Sequence, residues 1–129
     1  MISVVTPAYG SPKSLPELVD RVKAALEPRG ERFEIVLVDD RCPVGSWEVI
    51  EQLAADEDCV VGIRLSRNFG QHAAIYAGLE AAQGDWVAVM DCDLQHMPED
   101  LPKLLDKADE GYHVVRGFEQ TSHHLVQCN

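Results

Sequence analysis

The sequence predicts an α/β fold: a mostly parallel sheet with helices on both faces. Three observations predict it. Short runs rich in Val, Ile and Leu recur at Ile2–Thr6, Phe33–Val38, Val60–Leu65 and Trp86–Met90. These runs are mostly continuous in apolar residues rather than alternating, as strands buried on both faces are. Between them lie stretches with apolar residues at helical spacing and short connections, the pattern of right-handed βαβ units.

Each element has its own signal. Ile2-Ser3-Val4-Val5-Thr6 is a β-rich run, broken by the turn residues of Pro7-Ala8-Tyr9-Gly10-Ser11-Pro12. Ser14 and Glu17 have capping-box spacing, and Pro16 sits in the permissive first turn. Leu15, Leu18, Val19, Val22 and Leu26 mark one helix face, and Pro28-Arg29-Gly30 ends that helix. The run from Phe33 ends in two carboxylates, Asp39 and Asp40, followed by an Arg41–Gly45 loop. Ser46 is placed to cap a helix that carries Trp47, Ile50, Leu53 and Ala54 inward. After Val60–Leu65 comes Ser66-Arg67-Asn68-Phe69-Gly70, then a helix from about Gln71 to Ala82. Its small residues Ala73, Ala74, Ala77 and Gly78 suit close packing on a sheet. Gly84-Asp85 turns into the run opened by Trp86. A further helix starts at Met97-Pro98-Glu99-Asp100, with Leu101, Leu104, Leu105 and Ala108 apolar, and Gly111 stops it. Tyr112–Arg116 reads as a fifth strand. Residues 1–119 are read as one domain, and 120–129, with no clear period, as an irregular tail whose His123-His124 pair is incidental.

Composition excludes several classes. The chain of 129 residues has a formal net charge of −11, which argues against a nucleic-acid binder. It also means that an anionic ligand must be met by a local cation, either a metal or placed Arg and Lys. The cysteines Cys42, Cys59, Cys92 and Cys128 form no C-x-x-C pair and have no His at zinc-finger spacing. They read as reduced thiols of a cytosolic protein. No apolar run approaches the roughly 18–20 residues of a membrane span, and Met1–Val5 has no basic leader.

The chemistry gathers at strand ends. Asp91 and Asp93 follow Val87-Ala88-Val89-Met90, and residues two apart in an extended chain face the same side. Gln95, two further on, can add an oxygen, and converging hard oxygens suit Mg²⁺ or Mn²⁺. A D-x-D alone is also a common solvated turn; its position at the end of a buried strand singles it out. Cys92 lies between the carboxylates and points the other way. In a parallel sheet the ends at Thr6-Pro7-Ala8-Tyr9, Asp39-Asp40 and Asp91-Cys92-Asp93 share one edge. Tyr9 can stack on a base, and Asp39 or Asp40 can accept hydrogen bonds from a base or ribose. No G-x-G-x-x-G follows the first strand and no G-x-x-x-x-G-K-[ST] occurs, so neither a dinucleotide-binding fold nor a P-loop enzyme is favoured. A nucleotidyltransferase would want a Gly- and Arg/Lys-rich loop after the first strand, which Pro7–Pro12 does not offer.

Val4-Val5-Thr6-Pro7-Ala8-Tyr9, Val38-Asp39-Asp40, Arg67-Asn68-Phe69-Gly70-Gln71, Ala77-Gly78-Leu79 and Met90-Asp91-Cys92-Asp93-Leu94-Gln95 with Pro98-Glu99 resemble the family 2 glycosyltransferases of GT-A fold. Within that family they look most like the polyprenyl-phosphate sugar transferases, the dolichyl-phosphate mannose synthase-like branch. The resemblance implies a nucleoside contact by Pro7, Tyr9, Asp39 and Asp40. It implies a donor pocket bordered by Arg67 and the following turn, and a substrate-binding Asp91-Cys92-Asp93. Asp91, Asp93 and Gln95 would hold the metal. It further implies a UDP- or GDP-sugar donor, an inverting transfer to a lipid phosphate, and a cytoplasmic location, peripheral at the membrane face. Ser11 stands where an acidic residue is common in the family, and Glu119 where an Arg is. The family domain runs well beyond Asn129, so the sequence reads as its nucleotide-binding half. An inactive nucleotide- or metal-binding remnant is the alternative, and uncovered sheet surface would favour a homo-oligomer.

Overall fold

A computed structural model describes residues 1–10, 12–91 and 98–112, together with the backbone of 114–119 and 122–128. Ten regular elements follow in order: β1 Ile2–Ala8, α1 Leu15–Leu26, β2 Phe33–Asp39, α2 Ser46–Asp56, β3 Val60–Arg64, α3 Gln71–Ala81, β4 Trp86–Val89, α4 Leu101–Asp109, β5 Val114–Glu119 and β6 Ser122–Cys128. The six strands form one sheet in the order β3-β2-β1-β4-β6-β5. The β3-β2-β1-β4 portion is parallel, and β6 runs antiparallel to both β4 and β5. The predicted mostly parallel α/β sheet is therefore present.

Strand alternation splits the core into two layers. Ile2, Val4, Ile35, Leu37 and Ala88 face α1, Ile50 of α2 and α4. Val5, Val36, Val38 and Val87 face Ala74 of α3 on the other side. Because both faces are covered, the strands carry few polar residues. Gly78 is what lets α3 lie so close. A Cβ there would collide with Val5 Cγ1 and come within 3.2 Å of Val38 Cγ2.

A polar lock closes the N-terminal end of the sheet. Ser3 Oγ donates to Glu34 Oε1 at 2.6 Å, and Gln83 N–H donates to the same oxygen at 2.7 Å. Gly84 N–H donates to Ser3 Oγ at 2.8 Å. The loop between α3 and β4 is thereby fixed to β1 and β2. On the outer face, Arg29 joins the end of α1 to α4 through Asp106 at 2.6 Å and Asp109 at 2.9 Å.

Local details depart from the sequence reading. The expected irregular tail instead forms β6, paired from Trp86↔Cys128 to Val89↔Leu125 and from Val114↔Gln127 to Glu119↔Ser122. Its backbone fills the ladder that β4 would otherwise leave open, a long-range gain that no local period announces. The fifth strand correspondingly runs over 114–119 rather than 112–116. Ser14 stands at the N-cap of α1 but makes no side-chain cap bond, because a 3₁₀ turn over Pro12–Ser14 already leads into the helix. Gly45, at φ 87°, takes the cap position of α2, and Ser46 is its buried first residue.

Candidate functional site

The chain starts mid-sheet, moves outward through β2 and β3, and returns to β4 on the far side of β1. The strand order thus reverses between β1 and β4, and ligands of open α/β sheets bind at such a crevice, outside the carboxyl ends. The last β1–β4 rung is Val5↔Val89. Pro7 stands just beyond it, where a residue without an N–H costs no ladder bond. Pro7 is buried within β1 opposite Val38, so it shapes the strand end from inside. Tyr9 follows at the rim, 53% exposed. Asp91 follows β4 at the other side of the same crevice, partly exposed.

The two carboxylates after β2 point inward. Asp39 is fully buried. Its Oδ1 accepts the Cys42 N–H at 3.1 Å, and its Oδ2 lies 3.3 Å from Arg64 Nε. Asp40 is nearly as buried and accepts two backbone N–H groups, from Phe69 at 2.9 Å and Gly70 at 3.0 Å. The resemblance implies nucleoside contacts for both; in the structure both also hold the loops that border the crevice. The signal that sequence reading missed is this pairing of Asp40 with the Arg67–Gly70 turn, a contact across 30 residues.

That turn presents a cation on an aromatic face. Arg67 Cζ lies 4.6 Å from the ring centroid of Phe69, and both side chains are exposed. Gly70, at φ 97°, starts α3 in a backbone conformation that a side chain would strain. Gln71, the first residue of α3, then donates from Nε2 to Asp91 Oδ1 at 3.2 Å. One short segment therefore touches the carboxylates after both β2 and β4.

Cys42 is the second feature the sequence did not single out. The Gly10 N–H, next to Tyr9, donates to its sulfur at 3.1 Å. Burial raises the thiol pKa, but the Ser46 hydroxyl and the N–H groups of Gly10, Val44 and Ser46 outweigh it, and the thiol sits below the usual cysteine value. Cys59, at the opposite end of β3, is pushed up, chiefly by burial.

Asp93 and Gln95, expected at the metal, and Cys92, expected with the aspartates at the substrate, lie outside the described residues. Among the described residues no three His, Cys, Asp or Glu side chains come together to hold a metal ion. Among the residues described after Gln95, Glu99 takes two bonds from Arg21 of α1 at 2.7 Å. Among the described residues no helix is long and apolar enough to cross a membrane.

An α/β sheet with its crevice at the β1/β4 reversal, bordered by an aromatic and a carboxylate, is the framework of a nucleotide-diphospho-sugar transferase of GT-A type. The sequence profile of glycosyl transferase family 2 matches residues 3–122, and the chain belongs to that family. It is 47% identical over 116 residues to the undecaprenyl-phosphate 4-deoxy-4-formamido-L-arabinose transferase of Aeromonas hydrophila, a match covering 89% of this chain and 36% of that protein. It spans about a third of the length of the curated relatives it matches. Among solved structures, S. aureus TarS 1–349 in complex with UDP-GlcNAc aligns with a TM-score of 0.69 at 24% identity, covering 88% of this chain and 32% of that one. The mannosyltransferase PcManGT of Pyrobaculum calidifontis, in complex with GDP-Man and Mn²⁺, aligns with a TM-score of 0.64 at 22% identity, covering 71% and 27%. At these identities the structural likeness is one of fold.

Proposed function

We propose that the chain is the nucleotide-sugar-binding part of an inverting transferase that moves a sugar from a UDP- or GDP-sugar to a polyprenyl phosphate at the cytoplasmic membrane face. One observation carries this reading: Tyr9 and Asp91 flank the crevice where the strand order reverses, and Gln71 orients the Asp91 carboxylate toward it. The relatives' names supply the acceptor class, and the nucleotide-sugars in the TarS and PcManGT structures suggest the donor class.

In this reading Tyr9 stacks on the base. Asp39 and Asp40 act on the nucleoside through the loops they hold, and Arg67 borders the diphosphate. Asp91, a hard carboxylate at the crevice rim, suits Mg²⁺ or Mn²⁺, with Asp93 and Gln95 completing the ligand set. When bound, the cation supplies Lewis-acid stabilisation to the departing nucleoside diphosphate. A phosphate acceptor is already anionic, so no strong base is assigned among these residues.

The test is thermal unfolding with UDP- and GDP-sugars and Mn²⁺. A donor that binds the folded state raises the melting temperature by mass action, and Asp91→Ala and Asp93→Ala remove the rise. No shift with either nucleotide overturns the reading in favour of an inert remnant. Binding without nucleoside diphosphate release, when a polyprenyl phosphate is added, restricts this chain to donor binding. Self-association through uncovered sheet surface is checked by sedimentation, where a monomer at high concentration counts against it.

A further inference from the structure

We propose that the rim at the carboxyl ends of β2 and β3 is a surface that seats the protein on an anionic phospholipid bilayer. The loops that follow these two strands form it, and they are tied to each other. Arg41 Nε donates to Leu65 O at 2.6 Å, and the Leu65 N–H donates to Asp39 O at 2.9 Å. The Phe69 N–H donates to Asp40 Oδ1 at 2.9 Å. Arg41, Arg64 and Arg67 are thereby carried on one rim, and all three are exposed. Arg64 answers the buried Asp39, at 3.3 Å. Arg41 bonds to a carbonyl and Arg67 lies on a ring, so both keep their full charge for a ligand. Because β3 is an outer strand of the sheet, this rim lies away from the crevice between β1 and β4.

The fold segregates the charge of the chain. In βαβ units each helix runs back along the sheet, so helix ends and strand starts share one end. Asp56, Glu57 and Asp58 lie there between α2 and β3, and Glu80 and Asp85 lie about the end of α3. Residues 64–79, by contrast, hold Arg64 and Arg67 with no Asp or Glu, and residues 41–47 hold Arg41 with none. The acids on the rim side are accounted for. Asp39 and Asp40 are buried, Glu48 is exposed beside Gly45, and Asp91 stands at the crevice against Gln71. The formal net charge of −11 does not prevent approach. The seven residues of β2 span about 23 Å, more than two Debye lengths of about 10 Å at 0.1 M salt. A bilayer at this rim is therefore screened from the acidic end.

Apolar side chains stand among the cations. Val44 is 57% exposed and Phe69 49% exposed, with the Arg67 guanidinium 4.6 Å from the Phe69 ring. A soluble anion has no use for the exposed valine. A bilayer interface uses both kinds of group: headgroup phosphates meet the arginines, and the apolar tips enter the acyl boundary. Seating on this rim turns the carboxyl ends of the strands toward the membrane that holds a lipid-phosphate acceptor. That consequence rests on the function proposed above; the bilayer contact does not.

The experiment is co-sedimentation of the intact chain with phosphatidylcholine vesicles, with and without phosphatidylglycerol, free of divalent metal. At about 0.1 M salt the anionic vesicles bind it about tenfold more tightly than the neutral ones or better. At about 1 M salt, where the Debye length is about 3 Å, the difference disappears. Arg41→Gly, which suits the φ of 56° there, weakens binding to anionic vesicles about fivefold. Val44→Ser weakens it severalfold on both kinds of vesicle. Arg32→Ser, an exposed cation before β2 at the opposite end, changes nothing. No binding to anionic vesicles, or equal binding to both kinds, overturns the proposal without any variant having to fold. Binding that responds to Arg41→Gly but ignores Val44→Ser overturns the bilayer in favour of a soluble polyanion. Thermal unfolding with UDP- and GDP-sugars is read separately on the same proteins. A donor shift without vesicle binding removes this surface and leaves the donor site; vesicle binding without a donor shift does the reverse.

Discussion

Asp40 holds Gly70: its Oδ2 accepts the Gly70 N–H at 3.0 Å while its Oδ1 takes the neighbouring Phe69 N–H at 2.9 Å. A carboxylate taking two backbone donors makes charge-assisted bonds, the stronger kind. It fixes where α3 begins, and with it the Arg67–Phe69 pair and the Gln71 contact to Asp91.

Asp40→Ala leaves two part-buried N–H groups without an acceptor. The expected loss is about 2–3 kcal/mol in urea unfolding, with Asp40→Asn, which keeps one acceptor, losing about half as much. Amide exchange at Phe69 and Gly70 should speed up in Asp40→Ala under native conditions. Unchanged exchange at those two amides would show that the clamp is not what orders the turn.

Gly78 offers a contest between two opposed effects. Alanine is the better helix former by about 1 kcal/mol, but its Cβ would meet Val5 and Val38 side chains packed on the sheet. Overpacking of this kind costs about 1–3 kcal/mol, and the clash with Val5 is close, so packing wins. Gly78→Ala should lower the melting temperature, and adding Val5→Ala should recover part of the loss. A double-mutant cycle with no coupling would refute the contact.

The parallel sheet was legible because burial on both faces writes a nearly unbroken apolar run into Phe33–Val38 and Val87–Met90. The close fit of α3 was legible in its run of small residues. What stayed hidden depends on distant partners. Nothing in Ser122–Cys128 alternates, yet the open edge of β4 recruits it as a strand. The burial of Asp39 and Asp40 was not legible, because carboxylates are seldom buried and theirs depends on N–H donors from Cys42, Phe69 and Gly70. The ring of donors round Cys42 includes Gly10, 32 residues earlier, and no spacing rule joins the two.

The lock at the other end of the sheet separates stability from binding. Glu34→Ala strands the Ser3 hydroxyl and the Gln83 N–H, and should cost about 2–3 kcal/mol in chemical denaturation. Glu34→Gln keeps an acceptor in place and should cost about 1 kcal/mol. Because the lock lies at the N-terminal ends of β1 and β2, any nucleotide affinity should be unchanged in Glu34→Gln. A drop in affinity at full folding would mean that the two ends of the sheet are coupled.

Glu99 gives the chain an acid-sensitive contact with a predictable sign. The side-chain hydrogen bonds from Arg21, ahead of the opposing effect of burial, hold its carboxyl below the ordinary 4.5. The unfolded chain titrates at that ordinary value, so the folded state favours the charged form. The resulting stabilisation is complete above pH 4.5 and is lost as pH falls through the lower folded value. Its size is small, because the Glu99 side chain is 54% exposed and solvent screens the pair; about 0.5 kcal/mol is expected at pH 7. Glu99→Gln mimics the protonated acid, so wild type and variant should differ by that amount at neutral pH and converge once pH has fallen through the lowered folded value. A gap that persists undiminished into acid would assign it to packing of the Pro98–Asp100 turn on α1 rather than to the charge.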